Sequence, residues 1–173
     1  MQKTDLKALA AENAFELIGK EWMLVAAGTP EHFNMMTASW GGIGWLWNKP
    51  VAFVFVRPER YTYQFTERED RMTLSFLGTD NEDMRRIMNF CGTASGRDHD
   101  KQAETGLTPV ATEGGSVAFA EARLTVEGRK LFRSEMQAAH FLDKAVLERW
   151  YHDGPGGSLH TVYVIEIENV YTR

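Results

Sequence analysis

Two guanidinium groups and two hydroxyls fall close together in Arg57-Pro58-Glu59-Arg60-Tyr61-Thr62-Tyr63. The pattern ends a strand at Arg57 and opens a helix at about Glu59, with Pro58 at its start, where a missing N–H costs nothing. Free backbone amides and the positive end of a helix dipole would then accompany Arg57, Arg60, Tyr61 and Thr62. Fixed amides, bidentate cations and short hydroxyl donors are what a terminal phosphate needs. A helix start with solvated arginines and half-buried tyrosines accounts for the same residues.

A second run, Asn34-Met35-Met36-Thr37-Ala38-Ser39-Trp40-Gly41-Gly42, sets small and hydroxyl-bearing residues beside a tryptophan and two glycines. Small side chains let a planar ligand approach the backbone, where amides bond to its edge, and Trp40 would flank an aromatic ring. On composition alone, a strand, a core tryptophan and a tight turn are the better account of these residues. In the polar loop Ser95-Gly96-Arg97-Asp98-His99-Asp100-Lys101, Arg97 and Lys101 would fold over an anion or simply stay solvated.

Other chemistries find no support. The five histidines show no metal-binding spacing, and with one cysteine no zinc site arises. There is no nucleophile elbow, no Walker loop and no dinucleotide fingerprint after a strand, since Gly-Gly-Ile-Gly at 41–44 does not match it. Cys91 falls on the apolar stripe of a helix near its C-terminus, where the dipole disfavours a thiolate, and reads as core. No catalytic residue is expected.

The elements that must position these residues are mostly strands. Short apolar and aromatic runs at Glu21–Ala27, His32–Ser39, Gly42–Trp47 and Val51–Arg57 are punctuated by Gly28-Thr29-Pro30, Gly41-Gly42 and Asn48-Lys49-Pro50. Such spacing predicts an antiparallel meander or barrel, because βαβ crossovers need a dozen or more residues. Helices are expected over Thr4–Ala14 with Thr4 as N-cap, Glu59–Arg68, Lys144–Trp150, and Asn81–Cys91, where Thr79 and Glu82 have capping-box spacing and Gly92 ends the helix. Further strands are expected at Arg71–Leu77, Val117–Phe132 (one face apolar, the other polar) and Leu159–Tyr171, with Asp153–Gly157 as a loop.

At 173 residues the chain suits one domain, 1–173, with an N-terminal helix over 1–14 and a helical and loop insertion over 79–106. Its 43% hydrophobic content supplies a core and its 25% charged content a solvated surface. A net charge of −5 argues against a nucleic-acid partner, as no basic excess exists to neutralise a duplex. The N-terminal segment lacks the apolar core of a signal peptide, and no apolar stretch reaches the roughly 18–20 residues that span a bilayer. A single cysteine agrees with a reduced compartment, so a cytoplasmic protein without membrane contact is expected.

With these segments in hand, the sequence resembles the flavin reductase-like, FMN-binding split-barrel family, including its flavoredoxin-type members. The resemblance runs through residues 33–65 (FNMMTASWGGIGWLWNKPVAFVFVRPERYTYQF), CGTASGRDHDK at 91–101, Gly106-Leu107 and the closing IEIENVY. It implies a mainly β split barrel with a few peripheral helices, binding FMN. Asn34, Thr37, Ala38, Ser39 and Trp40 fall on the family segment lining the isoalloxazine and ribityl chain; Arg57, Arg60, Tyr61 and Thr62 fall on its phosphate turn. By the same resemblance Lys101 reaches the flavin's polar end, His140 matches a ring-facing histidine and Tyr171 an aromatic near the flavin. The implied activity is an NADH- or NADPH-dependent flavin reductase, with a non-enzymatic FMN electron carrier serving redox protein partners as the alternative. The family's homodimers, with FMN near the interface, would also cover Trp40, Trp45 and Trp47.

Overall fold

The computed structural model describes residues 1–152 and 157–173, so the expected loop at Asp153–Gly157 lies, except for Gly157, outside the described residues. The chain opens with a short strand, β1 (Gln2–Thr4), where a helix was expected. This segment pairs with the far end of the last strand, Gln2 opposite Thr172, so ladder hydrogen bonds displace the helical option. Helix α1 (Leu6–Ala10) therefore begins two residues after Thr4 and is capped by Asp5, whose side chain accepts from the Lys7 amide. A second short helix, α2 (Ala14–Glu16), runs into a π-helical turn at Leu17–Glu21.

Two hairpins follow. Strands β2 (Met23–Thr29) and β3 (His32–Ala38) pair through a tight turn at Pro30-Glu31. Gly28 there has φ +114°, and a Cβ on it would meet the His32 carbonyl oxygen at 2.2 Å. Strands β4 (Gly41–Leu46) and β5 (Lys49–Val56) turn at Trp47-Asn48, whose φ values of 51° and 59° give the left-handed pair a two-residue hairpin requires. Gly41-Gly42 is thus strand rather than turn. The break lies at Ser39-Trp40, and Gly41 lies so close to β5 that a Cβ would stand 2.8 Å from the Phe53 carbonyl oxygen. Lys49-Pro50 likewise opens β5.

Helix α3 (Thr62–Arg68) starts three residues later than expected. Residues 57–61 form consecutive tight turns, with the Arg60 amide bonded to Arg57 O at 3.0 Å and Tyr63 N to Arg60 O at 2.9 Å. After β6 (Arg71–Phe76), helix α4 (Glu82–Thr93) is capped by Asn81, not Thr79, whose hydroxyl bonds Asp80 instead. It runs through Gly92, which packs against Thr37. Helix α5 (Lys101–Thr105) and the hairpin β7 (Pro109–Ala111) and β8 (Val117–Phe119) lead to β9 (Leu124–Glu135), then a 3-10 turn at Ala138–His140, α6 (Lys144–Trp150) as expected, and β10 (Thr161–Thr172). Of these helices none is long and apolar enough to cross a membrane.

Apart from β7 and β8, the strands form one antiparallel sheet in the order β3-β2-β6-β9-β10-β5-β4, with β1 added to β10. Its two ends, β3 and β4, are consecutive in sequence, so the sheet curls round to bring them to the Ser39-Trp40 link. Met23, Val25, Met36, Val54, Leu74, Val126 and Ile165 fill the interior. The opposite face of β2 and β3 (Leu24, Ala26, Met35) is buried under Ile87, Met88 and Cys91 of α4 and Phe119 of β8. This double burial explains the unbroken apolar run of β2.

The single long strand expected over Val117–Phe132 is interrupted by a turn between β8 and β9, and its polar face is not exposed. Thr125 and Glu127 are fully buried because the β7–β8 hairpin folds over them. The Glu127 carboxylate accepts from Thr112 Oγ1, from Asn169 Nδ2 at 2.7 Å, from the Gly114 amide at 3.2 Å and from the Tyr171 hydroxyl at 3.2 Å. Burial opposes its charge, but these donors outweigh burial and hold the carboxyl below the ordinary 4.5. Its contribution to stability is therefore complete above that value and lost as acid protonates the folded state. Glu127→Ala strands several buried donors and is expected to cost roughly 2–4 kcal/mol, with a flatter acid limb in the stability profile, read by urea titration across pH.

Candidate functional site

The antiparallel register between β5 and β10 sets Thr161 opposite Val56, so His160 and Arg57 emerge side by side where both strands end. Strand β3 brings Thr37–Trp40 to the same place. Thr37, Ala38, Ser39, Trp40, Arg57 and Arg60 line one cleft of about 170 Å³ together with Phe55 and His160. Sequence reasoning did not single out His160; pairing the strand that ends at Arg57 with the strand that His160 precedes would have found it.

Beyond this cleft lies a more polar cavity of about 260 Å³, lined by Asn34, Tyr61, Gly96, His99 and Lys101 among others. Thr62 is buried and donates its hydroxyl to Asn34 Oδ1 at 2.8 Å. The Ser95–Lys101 loop lies directly on this pair: a Cβ on Gly96 would stand 2.0 Å from Asn34 Nδ2 and 3.0 Å from the Tyr61 ring. Arg97 crosses the Tyr61 ring at 5.1 Å and donates to the Glu59 carbonyl at 2.9 Å. The loop thus serves as packing as well as a carrier of charge.

Strand β3 is a sheet edge, and side chains rather than another strand meet its outer groups. Lys101 Nζ donates to Met35 O at 2.9 Å and to Cys91 O at 3.1 Å, while Thr37 Oγ1 donates to Met88 O at 2.6 Å. Arg60 Nη2 reaches the same Cys91 carbonyl at 3.0 Å. Two cations therefore converge on the last turn of α4. Burial draws the Lys101 ammonium down to about 8, with Arg60 adding to the fall, and burial also lowers Arg60. Burial raises the Cys91 thiol to about 11, which keeps it protonated.

Arg57 is held differently. Its Nη2 donates to the Trp150 carbonyl at 3.0 Å, its Cζ lies 5.1 Å from the Tyr151 ring centroid, and its Nη1 is buried with no hydrogen-bond partner among the described residues, a Glu59 carboxylate oxygen standing 3.9 Å away. His160 shares a 2.9 Å hydrogen bond through Nδ1 with the Tyr151 hydroxyl. Burial, helped by Arg57, draws this imidazole down to about 4, so it is neutral at physiological pH.

Two expected site residues stand elsewhere. His140 is exposed on the 3-10 turn and lines a separate cavity with Met136, Phe141 and Val146. Tyr171 lies near the opposite end of β10, roughly 36 Å along the strand from His160 at about 3.3 Å per residue, its hydroxyl donating to Glu127 and accepting from the Glu113 amide. Among the described residues no cluster of histidine, cysteine and carboxylate side chains could hold a metal ion.

The family model for the flavin reductase-like domain matches residues 16–173. Curated proteins yield no match. Among solved structures, the chain is similar to flavoredoxin of Desulfovibrio vulgaris (Miyazaki F), with 23% identity, a TM-score of 0.64, and coverage of 100% of this chain and 77% of that one. An FMN-binding protein from Thermus thermophilus with bound 1-cyclohex-2-enone aligns at 19% identity and TM-score 0.62, over 87% and 69% of the two chains. An NADH:FAD oxidoreductase of Streptomyces globisporus C-1027, in complex with NAD and FAD fragments, aligns at 15% identity and TM-score 0.60, over 88% and 74%. At these identities the likeness establishes the fold.

The depressed Lys101 ammonium generates a prediction. Between about 8 and 10.5 the unfolded chain holds a proton on this side chain that the folded protein lacks, so stability rises with pH across that window. Lys101→Met should remove this rise, measured as the melting temperature from pH 7.5 to 10.5.

Proposed function

Because this chain belongs to the family of flavin reductase-like domains, we propose that it is an FMN-binding oxidoreductase, taking electrons from NADH or NADPH and passing them to flavin or another acceptor. The observation that carries the reading is a charge imbalance. Arg60 and Lys101 share the Cys91 carbonyl, and neither forms an ion pair with a carboxylate among the described residues. The end of α4 offers them about half a negative charge, against two full positive ones. A phosphate monoester, at about −1.5 to −2, supplies the missing counter-charge, and Arg57 Nη1, which has no hydrogen-bond partner among the described residues, offers it a further donor.

The fit extends to the rest of the cofactor. Thr37, Ala38 and Ser39 present a narrow edge to a flat ring, and Trp40 closes one side of the cleft. Asn34 and Tyr61 would supply a polar wall beyond the cleft, held in place by the hydrogen bond from the buried Thr62 hydroxyl to Asn34. His140 and Tyr171 are left out of this assignment by their positions. When bound, FMN supplies two-electron chemistry through hydride acceptance from a nicotinamide. The chain's own part is to bind, orient and keep His160 neutral beside the cleft, so that its imidazole offers a hydrogen bond rather than a charge.

We also propose a homodimer. On the β4–β5 hairpin Trp45 is 66% exposed and Trp47 54%, and Trp47 meets the half-exposed Phe132 edge-on at 6.2 Å. A second copy over this patch would remove apolar surface that a soluble monomer rarely shows. The single buried Cys91 agrees with a reducing, cytoplasmic setting.

The test is spectroscopic. The protein incubated with FMN and desalted should retain a flavin spectrum, and anaerobic NADH or NADPH should bleach it; absence of retained flavin overturns the proposal, and bleaching by a reduced protein alone assigns a carrier. Arg60→Ala should weaken FMN at least about tenfold more than it weakens riboflavin, which lacks the phosphate. Equal losses would refute the phosphate role.

A further inference from the structure

Alongside the cleft lies a second cavity, of about 280 Å³, lined by Trp40, Met136, Phe141, Val146, Trp150 and Tyr151. Among the described residues that line it none is charged. Its neighbour across Met136, Phe141 and Val146 differs, mixing Glu135, Asp143 and His140 with apolar groups. Two edge-to-face aromatic pairs build the walls: Trp40 with Trp150 at 5.2 Å and 82°, and Phe141 with Tyr151 at 5.4 Å and 61°. Rings set at steep angles make corners that accept a flat ring against one plane and its edge against the other.

We infer that this cavity binds a small, uncharged, planar aromatic molecule. Three observations define that class. None of the described lining side chains could pair a charged ligand, so apolar contact is what the walls offer. At 280 Å³ the cavity falls just below the roughly 300–1,000 Å³ typical of sites for drug-sized ligands, so the occupant has one or two fused rings. Trp40, Val146 and Trp150 remain 38%, 41% and 44% exposed, which leaves apolar area for a ligand to cover. Phe141, Val146, Trp150 and Tyr151 all come from the segment between β9 and β10, so that segment determines what the cavity selects.

The inference stands without FMN, since no lining residue except Trp40 belongs to the proposed flavin cleft. Trp40 gives it a consequence there: an occupant of the cavity lies against the same indole that borders the cleft.

The experiment is calorimetric titration of the full chain, freed of FMN and separately loaded with it, using 2-naphthol and its saturated, non-planar counterpart decahydro-2-naphthol. The expected result is 2-naphthol binding in both forms, about tenfold tighter than the saturated compound, which lacks an aromatic face. Trp150→Ala should weaken 2-naphthol about tenfold. Val146→Asp, at an exposed helix position where folding is not at stake, should abolish binding by placing a carboxylate in the cavity. Absence of binding to the native chain, equal affinity for the two compounds, or unchanged affinity in both variants would overturn the inference. So would a change in sedimentation coefficient, in place of naphthol affinity, in Trp150→Ala, because a second copy would then be the occupant. Binding of 2-naphthol with no flavin retained would uphold this inference while sinking the flavin reading.

Discussion

Two cations, one buried and one half-buried, share a single carbonyl and set the terms for much of this molecule. Arg60 arrives from the turn after β5 and Lys101 from the first turn of α5, and both end on Cys91 O at the close of α4. Their meeting fixes the 79–106 segment against the edge of β3. It also does what a further pairing strand would do there, by satisfying Met35 O with an ammonium group. Like charges at close range inside a protein repel strongly unless something negative is near. The arrangement therefore holds that segment in place and, in the proposed function, is what calls for an anion at the mouth of the cleft.

Much of the fold was legible because its cause is local. Alternation and turn residues located β3, β5 and β6, and the period of Met84, Ile87, Met88 and Cys91 gave α4 nearly to the residue. What was not legible depends on partners distant in sequence. Nothing in Gln2–Thr4 announces a strand; it becomes one because Val170–Thr172 offers an unpaired edge. Gly41-Gly42 reads as a turn until the nearness of Phe53 shows why glycine is needed inside the strand. Thr125 and Glu127 read as a solvated face until a separate hairpin covers them.

The site divides along the same line. Arg57 and Arg60 carry their chemistry in residue type and spacing, so they stood out without a fold. Their setting did not: the phosphate-friendly helix start dissolved into turns, and the side chains, rather than a helix end, now bear the assignment. His160 and Phe55 enter only through the β5–β10 register. Thr37–Ser39, with ordinary composition, gain significance from lying at the end of an edge strand where the sheet's two ends meet.

Gly96 carries a consequence for substitution. Any side chain there collides with Asn34, whose carbonyl oxygen holds the Thr62 hydroxyl. Replacement of Gly96 thus requires the Asn34 side chain to move or shorten, and shortening Asn34 strands a buried hydroxyl unless Thr62 changes as well. The three positions are coupled, so a change at one constrains what the other two can be.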